Sequence, residues 1–215
     1  MTNFELSKEK KESNLQRYVS KLQEYNIYSE EMITDLGNKL MDAPFNIREE
    51  NGGAYFGGLL DIVLNQLCAI GTYINERAFG MNDKGNVLYP YLYVNKDKLI
   101  RVLLLQHIGK CELFVPETED WRIKKGMLFN FNDDSNVRLK LGQYSLFICQ
   151  KYGIKLTNDE YEALSSIDSE ESHYDMYNSP LTTVVKLANI STMVNVRQKW
   201  FKTFQEIKNK NKEEI

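Results

Sequence analysis

Leu99, Val102, Leu103 and Leu105 recur at helical spacing behind Asn95, a candidate N-cap, and leave that helix almost without a polar face. A helix so apolar must lie at the centre of a protein, with amphipathic helices around it. The flanking sequence supplies them. Leu15, Val19, Leu22 and Tyr25 predict an amphipathic helix over about 8–25. Ser29, followed by Glu30 and Glu31, predicts a second N-cap, with Ile33, Leu36 and Leu40 on one face until Ala43-Pro44 stops the helix. The stretch NGGAYFGG at 51–58 reads as a turn. After it Leu60, Val63, Leu64, Leu67, Ile70 and Ile74 keep a helical stripe to about Phe79, and NDKG at 82–85 is again a turn.

Between Trp121 and Phe131 apolar and polar residues alternate around Lys125-Gly126, which predicts a small β-hairpin. Helices resume over about 138–152, ended by Gly153, and over about 158–166 behind Thr157 and Glu160, a capping box. Ser179-Pro180 opens another with Val184, Val185, Leu187 and Ala188, and a last helix carries Trp200, Phe204 and Ile207 on one face among lysines. The fold class expected is all-α, a helical bundle with one small β-hairpin insert. Its divisions are a helical extension at 1–42, a core at 43–195 and a C-terminal amphipathic helix at 196–215.

The 27 basic and 30 acidic residues leave a net charge of -3, which gives no electrostatic footprint for nucleic acid or anionic lipid. The lysines of the last helix are interleaved with Glu206, Glu213 and Glu214, which also argues against nucleic acid. No apolar run reaches membrane-spanning length, and the charged stretch Met1–Ser13 is not a signal peptide, so a cytoplasmic location is expected. Cys68, Cys111 and Cys149 form no C-x-x-C pair and are expected as small core residues. With His107 and His173 the sole histidines, centres built from several imidazoles have few ligands to draw on. The sequence from 158 to 178 holds seven acidic residues and no Lys or Arg, either a solvated face or a docking surface for a basic partner.

Four stretches share a further pattern: GGAYFGGLLDIVLN at 52–65, LLLQHIGK at 103–110, RLKLGQYSLFI at 138–148 and SPLTTVVKLANI at 179–190. In order and spacing they resemble the HD-domain superfamily of metal-dependent phosphohydrolases, in the small version common in bacteria and their phages. The resemblance runs from about Ala43 to Met193. It implies that the family's metal ligands fall on Ile62, on His107 and Ile108, on Leu141 and on Asn189. A further ligand falls near Ile167, with His173 six residues beyond. Of the core set only His107 is retained. An HD centre needs several imidazoles and carboxylates to hold its cation and activate a water, so this chain is expected to bind no metal or other cofactor and to be a pseudoenzyme.

Three of the replacements are Ile or Leu, which suits a site filled and dried after losing its ion. Ile62, Ile108 and Leu141 are therefore expected to converge, with a neutral His107 hydrogen-bonded to Asn189. The leading expectation is an inactive HD-like domain serving as a structural or interaction module, with a protein partner or a second copy. The abundance of Asn, Lys, Ile and Tyr points to an AT-rich genome and to a phage virion or assembly component as its specific form. The alternative is a module that binds a nucleotide or other small phosphorylated ligand through His107, Lys110 and Gln143. Lys110 reads otherwise as a surface lysine after a helix end. An active phosphohydrolase comes last.

Overall fold

The structure, a computed structural model, describes residues 5–75, 94–133, 139–168 and 178–213, of which 71–75, 200, 201 and 203–213 are described as backbone only. Helix α1, Lys8–Glu24, starts behind Ser7, whose Oγ accepts the Lys10 N–H at 3.3 Å. Its buried face is Asn14, Tyr18 and Leu22. Helix α2, Glu30–Asp42, is capped by Ser29 as the sequence predicts, with Glu30 and Glu31 at the positive end of its dipole. A single 3-10 turn at Glu49–Asn51 and the glycine-rich turn then lead into α3, Gly58–Asn75.

Helix α4, Lys96–Leu105, is the central element. Asn95 Oδ1 accepts the N–H groups of Asp97 and Lys98 at 2.9 and 3.2 Å and so fixes where it begins. Leu99, Ile100 and Val102 through Leu105 are all buried, and α1, α3, α8 and α9 pack around them. Arg101 alone interrupts this surface. It bonds Glu160, a buried carboxylate, and the carbonyls of Tyr25 and Lys155 at 2.9 and 2.6 Å, which satisfies its guanidinium at the bundle edge. Tyr18 on α1 donates to the Leu104 carbonyl at 2.8 Å. The N-terminal helices share one core with the rest: Tyr18, Leu22, Met32, Leu36 and Leu40 lie in the same cluster as Leu103 and Ile148.

Beyond α4 come α5, Lys110–Leu113, strand β1, Phe114–Pro116, helix α6, Asp120–Lys124, and strand β2, Phe129–Phe131. The strands are antiparallel, Phe114 opposite Phe131 and Pro116 opposite Phe129. The hairpin exists, but its first strand is not at Trp121, which lies in α6. Glu117 explains the shift: its Oε1 accepts the N–H groups of Thr118 and Glu119 at 2.9 and 3.0 Å and its Oε2 pairs with Arg122, nucleating a helical turn where alternation reads as strand. Gly126 takes the left-handed turn at φ +78°.

Helix α7, Leu141–Lys151, closes at Gly153. In front of α8, Asn158–Ser165, Glu160 Oε2 accepts the Thr157 N–H at 2.7 Å. Ser179 caps α9, which runs unbroken over Pro180–Glu213. The sequence division at 196 falls inside this helix, because no Gly or Pro stands near it to end the hydrogen-bond ladder. Cys111 and Cys149 are buried as expected, whereas Cys68 is exposed on α3, a correction. Among the described residues no helix is long and apolar enough to cross a membrane. The turn at 82–85 and His173 lie outside the described residues.

Candidate functional site

The chain leaves α4 through a tight turn, Gln106 to Gly109, before Lys110 opens α5. Helix α7 presses against it. A Cβ on Gly109 would meet Ser145 N and Oγ and Tyr144 Cβ, each at 3.2 Å, so glycine is what permits the approach. Ser145 Oγ accepts the Gly109 N–H at 3.1 Å and donates to the Gln106 carbonyl at 3.0 Å, tying the turn to α7.

From this turn Gln106 reaches inward to two further amides. Its Nε2 donates to Asn189 Oδ1 at 3.0 Å and to Gln66 Oε1 at 3.2 Å, and its Oε1 accepts from Asn189 Nδ2 at 2.8 Å. Gln66 Nε2 adds a bond to Asn189 Oδ1 at 2.9 Å. Three neutral side chains from α3, the end of α4 and α9 thus satisfy one another in the interior. This corrects the expectation for Asn189, which pairs with the glutamines and not with His107. The reason is reach: an amide offers donor and acceptor at one end, and two other amides meet both needs at once.

His107 is buried, and its Nδ1 has no hydrogen-bond partner among the described residues. The ring stands edge-on to Phe45 with centroids 4.9 Å apart. Burial, and then the charge of Lys110, hold its pKa well below the usual histidine value, so it is neutral at pH 7. Lys110 is no surface lysine. Only 5% exposed, it donates to the Phe45 carbonyl at 2.6 Å and places Nζ 3.6 Å from the Phe45 ring centroid. Desolvation lowers its pKa to about 7, opposed by the negative charge of Asp168. Asp168 itself is fixed at the start of α7, where Oδ2 accepts the Gly142 N–H at 2.6 Å.

The other expected positions divide. Ile62 is buried beneath the glycine-rich turn beside Phe45: a Cβ on Gly53 would collide with Ile62 Cδ1 and come within 3.0 Å of Phe45 Cβ. Ile62, His107 and Lys110 thus gather around Phe45. Ile108 belongs to the main core cluster and half-buried Leu141 packs on it, apolar as expected. Ile62 lies in the same cluster, and the amides occupy the junction of α3, α4 and α9. Gln143 is exposed, and its Oε1 accepts the Lys140 N–H at 3.2 Å. It serves as a helix-start cap at the surface, whereas His107 and Lys110 are buried.

Gln66, Gln106, Ser145 and Asp168 were not foreseen. Gln66, four residues past Ile62, and Gln106, next to His107, are polar interruptions in apolar helices, and that was the available signal.

The donor set does not suit a metal ion. Its amide oxygens are engaged by amide hydrogens, the one imidazole nearby stands beside a lysine whose positive charge opposes a cation, and the carboxylate of Asp168 accepts a backbone N–H while its charge acts on that same lysine. Among the described residues no group of three or more His, Cys, Asp or Glu is placed to hold one. A separate cavity of about 230 Å³ lies between the starts of α4 and α9, where Lys98 and Asp159 pair at 2.8 Å. Asn95 and Ser179 already cap the helix ends that face it. No family model matches this chain, and no curated protein or solved structure is significantly similar to it.

Proposed function

We propose that this chain is a non-catalytic module of the HD type whose work is binding, to a protein partner or to a second copy of itself, as in a phage virion or its assembly. The observation that carries this reading is the amide triad Gln66–Gln106–Asn189. It joins α3, the end of α4 and α9, three of the segments in which the sequence resembles an HD domain, and fills their junction with neutral groups bonded to one another. Hydrolysis of a phosphoester needs a water made nucleophilic, and amides bonded to amides supply neither a Lewis acid nor a base. The test is elemental analysis of the purified protein together with phosphoester hydrolysis in added manganese or nickel. Neither stoichiometric metal nor metal-stimulated turnover is expected. One metal per chain, lost on His107→Ala, overturns the reading.

A second reading rests on a different observation. Lys110 is buried, with the Phe45 carbonyl as its one hydrogen-bond acceptor among the described residues, the Phe45 and Phe114 rings beside its Nζ and the charge of Asp168 acting on it, and the adjacent His107 Nδ1 has no partner among the described residues. A phosphate oxygen would supply what both lack. A nucleotide panel in thermal-shift format separates the two: a specific ligand raises the melting temperature in proportion to the logarithm of its concentration, and Lys110→Met abolishes the rise.

A further inference from the structure

Asn51-Gly52 is the one Asn-Gly step in the sequence. Such a step carries a reaction of its own. Glycine has no side chain to shield its amide, so its nitrogen can attack the Cγ of the preceding asparagine and close a five-membered imide. The N–Cγ bond forms, the bond from Cγ to the side-chain nitrogen breaks, and ammonia leaves with the proton of the glycine N–H. Water then opens the imide at either carbonyl, giving an aspartate or its β-linked isomer. Water is the sole co-reactant, and the chain gains one negative charge.

The fold holds this step from two sides. Within the turn, the Gly52 N–H donates to the Glu49 carbonyl at 2.8 Å, and Asn46 Nδ2 donates to the carbonyls of Asn51 and Gly52 at 3.3 and 2.7 Å. From outside it, the end of α9 closes down on the pair. Arg197 Nη2 donates to Asn51 Oδ1 at 2.9 Å. Val196 covers Gly52, where a Cβ would lie 2.6 Å from Val196 Cγ1 and 2.9 Å from the Val196 carbonyl oxygen. A nitrogen whose hydrogen points at Glu49 and a side chain whose oxygen is tied to a guanidinium on another element cannot meet while these contacts last. For ring closure the side chain must leave Arg197, and Gly52 must move in a seat that Val196 leaves no room to change.

We propose that Asn51 is a deamidation site of this chain and that the end of α9 guards it, so that reaction waits for Arg197 and Val196 to leave the turn. Conversion then alters the contact that restrained it. The aspartate adds a carboxylate beside Glu49 and Glu50, and the β-linked isomer adds a backbone atom where Gly52 is already pressed against Val196. The inference rests on the turn and α9 alone and is independent of whether the chain is a binding module.

Ageing the full chain at pH 8 and mapping its peptides by mass spectrometry tests it. Asn51 is expected to convert before every other asparagine, and more slowly in the folded chain than in denaturant, since its reaction needs a local opening. Arg197→Ala raises the rate at Asn51 by about 3- to 10-fold, the weight of one hydrogen bond, and leaves the unfolding transition in place because Arg197 is exposed. Conversion of another asparagine first overturns the proposal. So does an equal rate at Asn51 in the folded and denatured chains, or an Arg197→Ala rate equal to that of the wild type. An accelerated Arg197→Ala chain whose unfolding transition has also fallen would report global opening, and that result removes the guard as well.

Discussion

Burial of Lys110 sets its ammonium form against its surroundings, and the consequence is a pH dependence with a definite sign. Its pKa falls from the ordinary 10.5 to about 7 on folding, so between those values the unfolded chain binds the extra proton and the folded chain does not. The destabilisation is fully present below the folded value and fades as pH rises towards the unfolded one. Relative to Lys110→Met, the wild type should gain about 1.4 kcal/mol of stability per pH unit in the lower part of that window. Urea midpoints of both proteins at pH 7, 8 and 9 measure this, and parallel lines would show that the lysine does not titrate there. Asn14 makes a simpler case. It is buried on α1 with both amide atoms unpartnered among the described residues, so Asn14→Leu should stabilise by about 1–2 kcal/mol in the same assay. Neither position was legible in the sequence. A lysine after a helix end reads as surface, and nothing around Asn14 in the sequence marks it as buried, because burial is decided by the neighbour that packs there, Phe45 in the first case.

The amide triad is where three helices depend on one another. Gln106→Met should cost about 2–4 kcal/mol, because it leaves the remaining amides buried with acceptors and donors unpaired. Replacing Gln66, Gln106 and Asn189 together by Met, Met and Leu should cost clearly less than the three single losses added, since no orphan remains. Denaturant unfolding of the wild type and the four variants gives the coupling directly, and simple additivity would show that the bonds do not act as a unit. Elements themselves were largely legible. Ser29, Asn95 and Ser179 each begin the helix that their side chains predict, and the apolar run behind Asn95 is the centre of the bundle. Two readings failed for local reasons: Glu117 turned Trp121 and its neighbours into a helix, and the missing helix breaker near 196 joined two expected helices into α9. The site was legible only as a place. His107 and Asn189 mark the right helices, but hydrogen bonding between side chains depends on angles that spacing does not carry.

Across the whole molecule the shared core makes α1 and α2 part of the same cooperative unit as α4 and α7, and the cysteines can report this. Cys68 is exposed on α3, whereas burial pushes the thiols of Cys111 and Cys149 up to about 12, so both are almost wholly protonated and shielded at neutral pH. In the native chain one thiol should react rapidly with a disulfide reagent, and all three should react in denaturant. With increasing urea the two slow thiols should become reactive together, at a rate set by global opening, since Cys111 follows the turn that Ser145 of α7 holds and Cys149 lies one turn further along α7. Equal urea dependence for both thiols, read by mass spectrometry of the labelled chain, is the mark of a single unit. Labelling of Cys149 at low urea while Cys111 stays closed would mean that α7 opens apart from α4, and the contact made possible by Gly109 would then be a hinge, not a weld.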